Sequence, residues 1–311
     1  MAEEVLAALA PMSGQILVDA TFGGGGHSAR LLEAMAPDGR VIAMDRDPEA
    51  VAHGALAVQA WQGRLTLLHG RFGQLTEHLQ RLGMGLVDGI IFDLGVSSHQ
   101  LDVPNRGFSF QADGPLDMRM DPASGPSAAD LVNRLGQQAL ADLIFHHGDE
   151  RYARRVARVI VQARLQAPLT TTRQLAKLLE RALPYKRGGI HPATRTFQAL
   201  RIAVNDELTE LQSGLAAGIS CLKPGGRIVV ISFHSLEDRL VKETFRQGAR
   251  PDLVGHPRLP PPLLSAAPSP VLRLITRKPW TPSPSEIQKN PRARSARVRV
   301  AERLPERMDT P

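Results

Sequence analysis

Between residues 15 and 110 the apolar positions cluster in short runs, and segments with helical spacing separate them. The runs 15–20, 41–45, 65–69 and 86–93 have strand length, which predicts four strands. The segments between them predict helices, to about 36, from Pro48 to about 62, and over 72–82. Pro48 stands where a first helical turn begins. Mostly apolar strands alternating with helices imply a parallel sheet covered on both faces. Each run ends at or beside a polar residue: Asp19, Asp45, His69 and Asp93. Ligands of such sheets bind at the carboxyl ends of the strands, so these four residues mark a candidate site.

After Asp93 the pattern changes. The next run of this kind is 226–232, introduced by Leu222-Lys-Pro-Gly-Gly. A strand–helix–strand crossover needs ~30 residues or slightly more, and this interval is far longer. Its patterns are helical. The expected fold is therefore α/β, with a discontinuous sheet domain (1–112 and 206–311) interrupted by an all-helical subdomain at 113–205. One helix of the insert is legible in detail. Tyr152, Val156, Val159, Ile160 and Ala163 make an apolar stripe, and Arg151, Arg154, Arg155 and Arg158 make a basic one. No acid interrupts the arginines after Glu150, so contact with RNA phosphates competes with the plainer reading of a solvated face.

Further along, 271–276 reads as a strand. Arg292, Arg294, Arg297 and Arg299 alternate with Ala296, Val298 and Val300. That period-two pattern predicts a final antiparallel edge strand whose arginines are solvated or touch phosphate. The proline-rich stretch 249–270 reads as a loop, and the tail after Leu304 as frayed.

Composition narrows the function. No apolar run approaches ~18 residues, so no membrane span is expected. The acidic start Met1-Ala-Glu-Glu-Val5 is unlike a signal peptide. A single cysteine, Cys221, gives no internal disulfide and no cysteine-based metal site. A reducing cytoplasm is the simplest compartment, and no metal is expected. Net charge is +7 with a pI near 10.1, which favours a polyanionic partner such as nucleic acid. Aromatic residues are only 4%, which argues against a base-stacking platform built from many rings.

The candidate chemistry centres on 16–32. A run ending in Asp19 leads into four glycines, Gly23 to Gly26, and then into a helical pattern from His27, with Ser28 as a cap candidate. Strand, glycine turn and helix let backbone N–H groups approach a nucleotide-like ligand. Asp45 follows about twenty residues later, where a carboxylate can accept hydrogen bonds from ribose hydroxyls. Nicotinamide enzymes and S-adenosylmethionine methyltransferases both place an acid there. Three features favour the latter. Asp19 beside the loop would repel a pyrophosphate. A second acid, Asp93, opens Asp-Leu-Gly-Val-Ser-Ser98. Leu222-Lys-Pro-Gly-Gly-Arg-Ile-Val resembles the turn before the fifth strand of class I methyltransferases.

Methylation of a pyrimidine C5 needs a cysteine nucleophile, and Cys221 lies away from the Asp93 loop in sequence. Transfer to an exocyclic amine needs only the amine in line and an acceptor for its N–H. Asp93 is the natural acceptor. His234, at the end of the 226–232 run, is a second catalytic candidate, weighed against a structural histidine. Ser235 and Asp238 have capping-box-like spacing.

The chain resembles the RsmH (MraW) family of bacterial 16S rRNA cytosine-N4 methyltransferases. The segments that carry the resemblance include Asp19-Ala-Thr-Phe-Gly-Gly-Gly-Gly-His-Ser28, Asp45-Arg-Asp-Pro48 and Asp93-Leu-Gly-Val-Ser-Ser98 with Gln100-Leu-Asp102. Gly114-Pro-Leu-Asp-Met-Arg-Met-Asp121, the run from His191 to Glu207, Ser232-Phe-His-Ser-Leu-Glu-Asp-Arg239 and Asn290-Pro-Arg-Ala-Arg-Ser-Ala-Arg297 extend it over nearly the whole chain. Members usually carry a His-(Ile/Val)-Pro-Val segment ahead of the stretch matching Glu3-Glu4-Val5-Leu6, near which this chain begins. The resemblance implies a class I, Rossmann-like sheet. It implies S-adenosyl-L-methionine held by Gly25, Gly26, His27, Asp45, Phe72, Asp93 and Gln100. It also implies methylation of one decoding-centre cytosine of 16S rRNA in the small ribosomal subunit, with the helical insert recognising the substrate. The alternative is a non-catalytic RNA-binding or ribosome-assembly protein on the same fold.

Overall fold

The computed structural model describes residues 1–184, 190–250 and 269–305. Most of the proline-rich stretch and the end of the tail lie outside the described residues. The chain divides into two compact units, one of residues 1–95 with 208–311 and one of residues 96–207.

The first unit is a seven-stranded sheet of order β3-β2-β1-β4-β5-β7-β6. Its elements run α1 (Ala2–Leu9), β1 (Ile16–Asp19), α2 (Gly26–Ala34), β2 (Arg40–Asp45), α3 (Pro48–Ala60), β3 (Leu65–His69), α4 (Leu75–Arg81) and β4 (Val87–Asp93). After the second unit come α11 (Glu207–Cys221), β5 (Leu222–Ser232), α12 (Ser235–Ala249), β6 (Leu272–Leu274), α13 (Pro284–Lys289) and β7 (Arg297–Arg303). The first five strands are parallel and β7 runs antiparallel to both neighbours. This is the Rossmann-like sheet expected.

Strand periodicity divides the core. Ile90, Phe92, Ile228 and Val230 pack with Leu75, Leu79, Leu211 and Leu215 on one face. Ile91, Val229 and Ile231 pack with Val5, Leu9, Leu31 and Leu32 on the other. Burying such a side chain stabilises by roughly 1.5–3 kcal/mol, and both faces of the central strands are used.

Register places the acids. Asp19 pairs with Ala43 of β2 and with Ile91 of β4. Asp45 and Asp93 therefore both extend two residues beyond Asp19, one on each side of the start of the glycine loop. His69 pairs with Asp45 at the same level.

The last strand corrects the sequence reading. β7 is not an edge: it lies between β5 and β6, and β6 is the edge. Nor is its basic face free. Arg299 is buried at 7% exposure because Asp238 of α12 meets its guanidinium at 2.7 and 3.2 Å. Arg297 donates to the same carboxylate at 2.9 Å. Arg292 and Arg294 are exposed, in a 3-10 segment ahead of the strand.

The second unit is helical: α5 (Ser98–Asp102), α6 (Ala128–Arg134), α7 (Gln137–Gly148), α8 (Ala153–Arg164), α9 (Thr172–Ala182) and α10 (Thr194–Asn205). Its own core is built from Leu140, Ile144, Val156, Ile160, Leu175, Leu179, Phe197 and Leu200, among others. Two buried polar side chains hold the Gly114–Asp121 stretch against it. Asn205 accepts the Met120 N–H at 2.8 Å and donates to the Met118 carbonyl at 2.8 Å. Arg106 donates to the Met120 carbonyl at 2.8 Å. On α8 the inward face is Ala153, Val156, Ala157 and Ile160; Tyr152, placed in the apolar stripe by its spacing, precedes the helix and is exposed. Among the described residues no helix is long and apolar enough to cross a membrane.

Candidate active site

The glycine loop is fastened from below. Phe22 N–H donates to the Met44 carbonyl at 2.8 Å and Gly25 N–H to the Phe22 carbonyl at 2.7 Å. Gly23 N–H donates to Asp45 Oδ2 at 2.7 Å. Gly25 caps α2 with φ at 76°, where any Cβ is strained, and a Cβ there would also lie 2.8 Å from the Phe22 ring. At Gly24 and Gly26 a Cβ would meet nothing within 4 Å. The loop is thus pinned on its inner side and open on its outer side, where the first amides of α2 have no helical partner.

Ser28 does not cap α2. Its hydroxyl donates to Asp19 Oδ2 at 2.7 Å, and Thr21 N–H donates to Asp19 Oδ1 at 3.2 Å. Asp19 has no exposed surface, so it braces the loop from inside rather than lining a site. Burial pushes its carboxyl above the usual carboxylate range, against the pull of His27 and these hydrogen bonds.

Asp45 and Asp93 are half-buried at the rim. Asp45 Oδ1 accepts the Asp47 N–H at 2.8 Å while Oδ2 holds Gly23. Burial raises its pKa, opposed by these two amides. Each oxygen keeps acceptor capacity beyond one amide. Asp93 is fixed through its backbone, its N–H donating to Thr21 Oγ1 at 2.7 Å. Its Oδ2 lies 3.4 Å from His27 Nε2. Its Oδ1 is buried and has no hydrogen-bond partner. His27 responds to both acids: desolvation lowers its pKa, but the Asp93 contact and the charges of Asp93 and Asp19 outweigh it and hold the ring above its ordinary value. Local pattern placed His27 at a helix start, and the family resemblance added a cofactor contact; its contact with Asp93, far along the chain, carries no local signal.

Phe72 lies in a 3-10 turn after β3 and reaches Phe92 of β4, edge to face with centroids 5.4 Å apart. It is half-buried and packs against the core on the Phe92 face of the sheet. Two residues of α11 that the sequence did not single out support it. Glu210 accepts the Gly73 N–H at 2.7 Å, and Gly214 makes room, since a Cβ there would be 2.4 Å from the Phe72 ring.

The remaining candidates lie on other elements. His234, not Ser235, caps α12: its Nδ1 accepts the Glu237 N–H at 3.4 Å, and Glu237 Oε2 accepts the Phe233 N–H at 2.8 Å. Its Nε2 lies 3.1 Å from Glu237 Oε1. Gln100 belongs to the second unit, where it closes a capping box with Ser97. Arg151, Arg154, Arg155 and Arg158 are exposed in the second unit.

The rim residues suit S-adenosylmethionine by their chemistry. An open edge of amides, a carboxylate at ribose-binding position and a carboxylate with an unused buried acceptor match a ligand that carries hydroxyls, an amino-acid group and positive charge. A dinucleotide pyrophosphate would face the two rim acids, Asp45 and Asp93.

Comparison with known proteins identifies the family. The family model described as the MraW methylase family matches residues 1–304. A protein of Magnetococcus marinus named ribosomal RNA small subunit methyltransferase H is 54% identical over 304 residues, covering 97% of this chain and 96% of its own. Proteins of the same name from Geotalea uraniireducens and Thermomicrobium roseum are 51% and 52% identical. They are matched over 98% and 95% of this chain and over 97% and 90% of their own. The chain belongs to the MraW methylase family, and its cofactor is S-adenosylmethionine.

Proposed function

We propose that this protein transfers a methyl group from S-adenosylmethionine to small-subunit ribosomal RNA, and that the acceptor is the N4 amine of a decoding-centre cytosine, cytosine 1402 of 16S rRNA. The observation that carries this reading is Asp93 Oδ1, a buried acceptor without a partner at the carboxyl end of β4. A buried carboxylate oxygen left unpaired is costly, and such sites favour a donor supplied by a ligand. An amine N–H is such a donor. His27, beside Oδ2, holds the carboxylate in one orientation and keeps Oδ1 for the amine. The amine is thereby aligned while positive charge grows on its nitrogen, which the carboxylate stabilises. The bound cofactor supplies the activated methyl. Gly25, Gly26, Asp45 and Phe72 form its cradle in this reading.

The names of the relatives support the ribosomal substrate. The exposed Arg151, just ahead of α8, and Arg154, Arg155 and Arg158 on it support a role in holding RNA phosphates. The deciding experiment is methyl transfer to unmethylated small subunits followed by nucleoside analysis. N4-methylcytidine is expected; a C5-methyl product would overturn the reading. Asp93→Ala is expected to abolish transfer while keeping the wild-type melting temperature. Arg154→Glu with Arg155→Glu should weaken binding to small subunits and leave cofactor binding intact. Cofactor binding without transfer to any RNA would favour the non-catalytic alternative.

A further inference from the structure

The turn between α7 and α8 carries features that the cofactor site does not use. Phe145, in the last turn of α7, is 54% exposed, and Tyr152, just ahead of α8, is 49% exposed. They are the large exposed aromatics among the described residues of the helical unit. An exposed ring is common singly; Tyr152 stands inside the run of guanidinium groups from Arg151 to Arg158, and Phe145, edge-on to His146, precedes it in the last turn of α7. Arg151, Arg154, Arg155 and Arg158 are all exposed, and among the described residues none meets a carboxylate within ion-pair distance.

The acids of the turn are engaged in building it. Glu150 is buried at 6% and accepts the Tyr152 N–H at 2.8 Å. Asp149 ends α7 in the left-handed region at φ 49°, and its carbonyl accepts an Arg195 N–H at 2.9 Å. The rotation of α8 is fixed by the burial of Ala153, Val156, Ala157 and Ile160. Tyr152, Arg155 and Arg158 follow one another at three-residue spacing, so they lie along one line of the surface.

We propose that this turn and the outer face of α8 form a platform for single-stranded RNA. The arginines take backbone phosphates, and Tyr152 and Phe145 stack on unpaired bases. The charge selects a polyanion over a protein partner, and the exposed rings select unstacked bases over a duplex, whose bases already stack on one another. This proposal rests on the reading that the protein acts on RNA, and it adds the strand state that is recognised and the side chains that read it.

The test uses the full chain and a labelled single-stranded RNA oligonucleotide of mixed sequence, with affinity followed by anisotropy over a salt series. Tyr152→Ala should weaken binding roughly 5- to 100-fold at every salt concentration, with the salt slope unchanged, because stacking releases no counterions. Tyr152→Leu, which keeps apolar area but no π-face, should behave as Tyr152→Ala, and Tyr152→Phe as wild type. Arg155→Gln should lower the salt slope by about one phosphate contact. Wild-type affinity in Tyr152→Ala, full rescue by Tyr152→Leu, or equal binding of a blunt duplex would each overturn the platform. Calorimetry with S-adenosylmethionine, run on the same proteins, separates the two readings. A wild-type chain that binds the RNA but no cofactor sinks the methyltransferase function and leaves the platform standing.

Discussion

Replacing Asp238 by alanine removes one carboxylate and leaves two guanidinium groups without a partner. The two are not equivalent. Arg299 and Asp238 side chains are each 9% exposed, whereas Arg297 is 50% exposed. Breaking a buried pair from one side costs about 3–5 kcal/mol, because the remaining charge stays buried and uncompensated. The Arg297 contact, screened by water, adds at most about 1 kcal/mol. With a urea slope of about 2–3 kcal/mol per molar, a loss near 4 kcal/mol moves the midpoint of the sheet unit down by roughly 1.3–2 M. Equilibrium unfolding in urea, followed by far-ultraviolet circular dichroism, measures it. The paired replacement Asp238→Leu with Arg299→Met should recover most of the loss, since it leaves no buried charge. The wild type also predicts a pH dependence. Burial pushes the Asp238 carboxyl up, but its hydrogen bonds to Arg299 and Arg297 hold it below the usual carboxylate range. A depressed folded pKa gives stability that is present above the unfolded value of ~3.9 and is lost as pH falls through the lower folded one. The gap between wild type and Asp238→Ala should therefore be full at neutral pH and narrow below about pH 4. A midpoint shift under about 0.3 M, on the slope just used, or a gap that does not close in acid, would refute the assignment of this pair as the clamp between β7 and α12.

Other outcomes follow from the site. Gly25→Ala forces a Cβ into the left-handed region and against the Phe22 ring; it should lower stability by about 1–3 kcal/mol and weaken S-adenosylmethionine binding by calorimetry. Glu210→Ala removes the acceptor of the Gly73 N–H; cofactor Kd should rise while turnover at saturating cofactor changes little, and an unchanged Kd would show that Phe72 does not wall the site. Asn205→Leu leaves the Met120 N–H and Met118 carbonyl unsatisfied in the helical core. At about 1–3 kcal/mol for each stranded group, its thermal transition should fall by several degrees, without loss of cofactor binding.

The alternation of strands and helices in the first ninety residues was readable because both periods are local. So were the acids at the strand ends, and the register explains why Asp45 and Asp93 share a level while Asp19 sits deeper. The misreading of the last strand involves a distant partner, and those of the helix starts involve near neighbours. Arg299 looked solvent-facing because its alternation with Val298 and Val300 is correct, and only Asp238, some sixty residues earlier, turns that face inward. Ser28 and Ser235 looked like caps; a glycine backbone and His234 do that work, and Ser28 instead answers to Asp19. Glu210 and Gly214 left no trace in the pattern because what they support, the Phe72 turn, lies more than a hundred residues away.

The interruption of the sheet between β4 and β5 also has a consequence for how the molecule is made. When β4 leaves the ribosome its outer edge has no partner, and β5 lies more than a hundred residues downstream. At roughly 5–20 residues per second the wait is on the order of ten seconds. That is ample for the helical unit, whose contacts are local, to form first. The nascent half-sheet meanwhile carries Ile90, Ile91 and Phe92 on an open strand, the kind of edge that recruits other chains. The price of placing an entire unit inside a sheet is a long-lived unfinished edge, and chaperone demand during synthesis should track the length of that insert rather than the stability of the finished protein.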